Sequence, residues 1–108
     1  MTVGELARQP DFCEVLVSEP SREICGGYAG DLLSWVMGRA SEGDAWVTIM
    51  SNVNIVAVST LADPACIVLS EGVEPEPETL KRAKEQGVNI ISTSLDTFSA
   101  CARIASMI

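Results

Sequence analysis

The sequence predicts an α/β domain: a mostly parallel central sheet with flanking helices, in two or three layers. Three observations carry this. From Ala45 onward, strand-like runs alternate with helical ones, provided the segment after Asn52 is a helix. Ala65-Cys66-Ile67-Val68-Leu69 is a short, continuous apolar run, as in a strand covered on both faces. Ile24 to Met37 reads as a strand end, a glycine-rich turn and a helix starting at an acidic cap. At 108 residues, the whole of 1–108 is expected to be one domain with a single core.

The elements follow in order. Thr2 and Glu5 form a capping-box pattern ahead of a short helix ending near Gln9-Pro10. Cys13 to Val17 reads as a strand, Ser18 to Ser21 as a turn around Pro20, and Glu23 to Gly26 as a second strand. Gly26, Gly27 and Gly30 then form the turn, and Asp31 caps a helix carrying Leu32, Leu33, Val36 and Met37 on one side. Ala45 to Met50 is a strand. Ile55 to Thr60 is ambiguous: its β-branched residues favour a strand, whereas Val53, Val56, Ala57 and Leu61 share a helical face with Asn52 as a cap. After the Ala65 strand, Glu74-Pro75-Glu76-Pro77 suits a helix entrance, and Gly87 suits its exit. Val88 to Ser92 is a strand. Ser94 or Thr93 caps a last helix in which Phe98, Cys101, Ala102, Ala105 and Ile108 recur at helical spacing.

Charge and composition exclude several classes of function. Seven basic residues against fifteen acidic ones give a net charge of −8, which argues against nucleic acid and anionic membranes as partners. No apolar run reaches membrane-spanning length, and Glu5 and Arg8 interrupt the N-terminus, so the expected compartment is the cytoplasm. Hydrophobic residues make up 47% of this small chain, and with two tryptophans they predict leftover apolar surface and a homodimer.

Catalytic chemistry finds little support. There is no histidine. Gly30 is followed by Asp31 and Leu32, where a phosphate loop needs a lysine and a hydroxyl. Cys13, Cys25, Cys66 and Cys101 form no C-x-x-C pair, so no metal or iron–sulfur spacing is present and no cofactor is expected. Cys25 is the cysteine expected to be accessible, and the other three to pack. Asp31 and Asp96 at helix starts are caps before they are an acid–base pair. Trp35 and Trp46 are core or interface residues.

Small polar residues follow three of the strands. These are Ser51, Asn52 and Asn54, then Glu71 and Gly72, then Thr93, Ser94, Asp96 and Thr97. In open parallel sheets such ends converge on one edge, where ligands bind. The acidic residues there favour a neutral or singly charged ligand over a triphosphate. The alternative is that these side chains only cap helices.

Four blocks together resemble the DRTGG domain family in its small stand-alone form, known as predicted HPr serine kinases or as hydrogenase-associated proteins. They are Gly27 to Ser34, Trp46 to Ile49, Asn54 to Val58 and Thr93 to Phe98. The resemblance spans essentially the whole chain, although the Asp-Arg-Thr-Gly-Gly string itself does not occur. It implies a fold similar to the N-terminal domain of HPr kinase/phosphorylase, an α/β sandwich, and thereby a helix over Asn54 to Leu61. The kinase name belongs to a different, phosphate-loop domain and does not transfer. The implied role is a non-catalytic regulatory or ligand-sensing domain, binding a small anionic or nucleotide-like metabolite or a partner protein. A redox or iron–sulfur accessory role in a hydrogenase system, or a phosphotransferase, is the alternative.

Overall fold

The computed structural model describes residues 1–108. In chain order the elements are α1 (Val3–Ala7), β1 (Phe12–Leu16), β2 (Gly26–Ala29), α2 (Leu33–Arg39), β3 (Asp44–Thr48), α3 (Asn54–Ala62), β4 (Cys66–Leu69), α4 (Pro77–Gln86), β5 (Ile90–Thr93) and α5 (Thr97–Met107). One sheet of order β1-β5-β4-β3-β2 joins all five strands. β2 to β5 run parallel, and β1 pairs antiparallel with β5 at the edge.

Side-chain alternation along the strands divides the apolar residues into two cores. Ala45, Val47, Cys66, Val68 and Ile91 face α1 and α5, where they meet Val3, Leu6, Ala100 and Ile104. Trp46, Ile67, Leu69 and Ile90 face the other way, onto Val36 of α2, Ile55 and Val56 of α3, and Ala83 of α4. The architecture is therefore the three-layer form of the expected sandwich. From β2 to β5 each crossover steps in the same direction along the sheet. The right-handed crossover preference then puts α2, α3 and α4 on one face. The opposite face is left to the terminal helices.

α3 resolves the ambiguous segment as a helix. The amide oxygen of Asn52 accepts the Asn54 N–H at 2.9 Å, and Ile55, Val56, Val58 and Ser59 are buried at helical spacing. Burial of that face outweighs the β propensity of its branched residues. The helix ends at Asp63, left-handed at φ 56°, whose carboxylate and carbonyl both accept from Arg22.

Several sequence expectations are corrected. Gly26-Gly27-Tyr28-Ala29 is not a turn but β2 itself, in register with Asp44 to Val47. A Cβ at Gly26 would lie 2.9 Å from Asp44 Oδ1, so any larger residue there would have to displace the Asp44 carboxylate. Of the strand expected over Glu23 to Gly26, only Gly26 belongs to β2; Glu23 and Ile24 run beside the N-terminus, with Ile24 N–H donating to the Met1 carbonyl, and Cys25 N–H donates to the Gly43 carbonyl. α2 starts at Leu33 with no side-chain cap, since Asp31 is engaged elsewhere. Of the side expected to face inward on α2, Val36 is buried, whereas Leu32 and Met37 are exposed. The cap of α5 is Asp96, not Thr93 or Ser94, because the sheet extends through Thr93. α5 turns Ala100 and Ile104 inward and leaves Phe98 84% exposed. Cys13, expected to pack, is exposed on the edge strand, as is Cys25 beside β2.

Candidate functional site

Adjacent parallel strands whose following helices lie on opposite faces open a crevice at their carboxyl ends. β4 and β5 are such a pair: β4 leads to α4 on the Trp46 face, and β5 leads to α5 on the other. The two departing loops are stitched together at their roots. Glu71 N–H donates to the Leu95 carbonyl at 2.8 Å, and Gly72 N–H to the Thr93 carbonyl at 3.0 Å. Thr97 N–H donates to Glu71 Oε2 at 3.1 Å, and the hydroxyls of Ser70 and Thr97 share a hydrogen bond of 2.7 Å. Glu71 and Gly72 are both left-handed, at φ 60° and 72°. For Glu71 this is a strained conformation, held by the bonds just named.

Beside this seam lies a depression of about 310 Å³. Gly72, Glu74, Thr93 and Ser94 form one side of it, Asp11 and Cys13 the other. Thr93 is almost fully buried. Its hydroxyl donates to the Asp11 carbonyl at 2.6 Å and accepts from Leu95 N–H at 3.1 Å, which locks β5 to the start of β1. Ser94 is exposed, and its side chain is in no hydrogen bond.

The third expected segment sits apart from this seam. The Ser51 carbonyl accepts from Glu76 N–H at 3.1 Å and from Thr79 Oγ1 at 2.7 Å, which ties the end of β3 to the entrance of α4. Asn52 spends its amide oxygen on Asn54. The structure thus brings together Glu71, Gly72, Thr93, Ser94, Asp96 and Thr97, and joins Ser51, Asn52 and Asn54 to them only through the start of α4. Gly30 and Asp31 mark another corner, the carboxyl ends of β2 and β3. There the Asp31 carboxylate accepts from Thr48 Oγ1 at 2.8 Å and from Ile49 N–H at 3.0 Å. Gly26 and Gly27 lie at the opposite end of β2. Three participants were not expected: Ser70, Thr48 and Asp11. A polar residue directly ending an apolar run is the only sequence signal for Ser70; Thr48 is a lone polar residue inside the Ala45 to Met50 run, and Asp11 has no signal.

Electrostatics narrow what the β4–β5 seam accepts. The first free amides of α5 already bind carboxylates, Thr97 N–H to Glu71 and Ser99 N–H to Asp96. The Ser99 backbone and side-chain donors hold the Asp96 carboxyl below the ordinary aspartate range. Arg103 is bound to Asp11, which lines the depression, at 2.8 Å. A polyphosphate placed here meets the carboxylates of Glu71 and Asp96. The cysteines are scattered over β1, the segment before β2, β4 and α5, and no three potential ligands gather as a metal site. No helix is long and apolar enough to cross a membrane.

Among curated proteins none matches this chain. Among solved structures the chain is similar to the CBS and DRTGG domains of the regulatory region of Clostridium perfringens pyrophosphatase, crystallised with its activator diadenosine tetraphosphate. The TM-score is 0.64 at 18% identity, over 91% of this chain and 46% of that one. The chain spans about half of that structure's length. At that identity the likeness speaks for the fold. The model of the DRTGG domain matches residues 30–107. With most of its length matched and the same fold in the pyrophosphatase's regulatory region, the chain belongs to the DRTGG domain family.

Proposed function

We propose that this chain is a non-catalytic, ligand-responsive regulatory domain that binds a small neutral or singly charged metabolite at the β4–β5 seam. The observation that supports this most is the divergence of α4 and α5 from adjacent strand ends, beside a depression lined by Gly72, Thr93 and Ser94. The DRTGG domain of the similar structure belongs to a regulatory region with a nucleotide activator, which favours a nucleoside-like ligand. The carboxylates of Glu71, Glu74 and Asp96 disfavour a tetraphosphate in this chain. Of the hydroxyls at the seam, Ser70 and Thr97 bond each other, and Ser99 is held by the Asp96 carboxylate that caps α5.

The test is a thermal-shift panel of nucleosides, cyclic mononucleotides and diadenosine tetraphosphate. A ligand at a hundred times its Kd stabilises the fold by about 2.7 kcal/mol, enough to move the melting temperature by several degrees. We expect a shift with an uncharged or singly charged probe and none with the tetraphosphate. Ser94→Tyr, at an exposed position, fills the depression and should abolish the shift without lowering the ligand-free melting temperature. A shift that survives in Ser94→Tyr refutes the placement, and a panel with no shift at all refutes ligand sensing by this class.

A further inference from the structure

The two edges of the sheet are treated differently. An exposed strand edge is a template for pairing, and proteins guard it with charge, proline or a bulge. β1 is guarded: it carries exposed Glu14, and its register is broken by a bulge between Glu14 and Leu16. At the other edge, residues 1–3 cover the approach to β2 by bonding Arg22 to Ile24. β2 itself, Gly26-Gly27-Tyr28-Ala29, then lies open, with no charge, proline or bulge.

The surroundings of this open edge are apolar on both faces. On one face Leu32, Trp35 and Arg39 follow each other along a flank of α2, and Leu32 and Trp35 are 58% and 52% exposed. The Arg39 guanidinium stacks on Trp35 at 3.8 Å from the ring centroid, which places both on that flank. Leu32 stands three residues beyond the last residue of β2, so this flank begins at the carboxyl end of the open strand. On the other face a groove of about 290 Å³ runs between β2 and the end of α5, lined by Gly27, Ala29, Cys101, Ala105 and Ile108.

Charge identifies the occupant. The chain carries −8, so a second copy is repelled from most of its surface. From Ile24 to Ala40, however, the only charged residues are Asp31 and Arg39, which cancel, and α5 carries no charge after Arg103. The β2 edge is thus a neutral, apolar side of an acidic molecule. We infer that β2 pairs antiparallel with β2 of a second copy about a twofold axis. The two sheets then become one of ten strands, and the two α2 helices meet through Trp35. Twofold, self-complementary association is the commonest closed solution for such a surface.

Light scattering and sedimentation at micromolar concentration should give twice the 11.5 kDa chain mass. Ala29→Glu and Trp35→Glu, each at an exposed position, should give the single-chain mass with unchanged circular dichroism. Leu61→Glu, on exposed α3 surface away from β2, should leave the dimer intact. A wild-type monomer overturns the inference. So does a dimer that survives both β2-edge substitutions, since its interface then lies elsewhere.

Discussion

Asp96 shows how a single carboxylate sets both a local structure and a solution property. It accepts from Ser99 N–H at 2.8 Å and from Ser99 Oγ at 3.0 Å, closing the first turn of α5 next to the seam. Those bonds favour its ionised form and hold its pKa below the ordinary 3.8. Glu5 in the capping box of α1 is lowered from 4.5 for the same reason, by the amide and hydroxyl of Thr2. A carboxyl with a depressed folded value stabilises the fold fully above its unfolded value. The contribution is lost as pH falls through the folded value. Thermal unfolding followed from pH 7 down to pH 2 should therefore show an acid limb beginning near pH 4. Asp96→Asn keeps a competent cap, so its melting temperature at pH 7 should stay close to wild type while its acid limb becomes shallower. Acid limbs that superimpose in the two proteins would show that Asp96 titrates alike folded and unfolded.

At the scale of elements, β2 and α2 are where local pattern and fold disagree. Three glycines before Asp31 satisfy every local rule for a turn and a capped helix. The parallel register with β3 recruits them as a strand instead, because Tyr28 packs against the Trp46 core and Gly30 donates to the Val47 carbonyl. Asp31 is then drawn to Thr48 and Ile49, partners seventeen and eighteen residues away that no local window contains. α3, α4 and β4 were legible because their signals are local: Asn52 ahead of α3, Pro77 at the first turn of α4, Gly87 at φ 69° after it, and the apolar run of β4. The seam was half legible. Small polar residues after strands pointed to Glu71, Gly72, Thr93 and Thr97. The separate placement of Ser51 and Asn52 depends on the Thr79 hydroxyl, a long-range bond. The β2–α2 element also bears on catalysis. A phosphate cradle needs free amides and a cation, and here a carboxylate occupies the corner and binds the Ile49 amide. The purified chain should turn over magnesium-ATP no faster than buffer, by a coupled phosphate assay. Turnover that disappears in Asp31→Ala would show that this corner handles phosphate after all.

Over the whole molecule, the two cores meet back to back through the central strands, so neither opens alone without exposing the sheet. Cys66 lies on β4 between β3 and β5, buried in the core cluster that also holds Val3, Leu6 and Ile91. Burial pushes its thiol up to about 12, so almost none is thiolate near neutral pH. The other three cysteines sample shallower layers: Cys13 and Cys25 are exposed, and Cys101 is partly covered on α5 with its thiol raised by burial. Thiol reactivity requires both exposure and ionisation, and a core residue gains both only when its surroundings open. Labelling with a disulfide reagent at pH 8, read by mass spectrometry, should add two groups quickly and a third more slowly. The fourth should follow only at the rate of global unfolding. Raising urea towards the unfolding midpoint should accelerate the Cys66 label in step with the unfolded fraction, while Cys13 and Cys25 stay insensitive to it. If Cys66 labels as fast as Cys101 in native buffer, α1 and α5 lift off the sheet independently, and the two layers do not unfold as one cooperative unit.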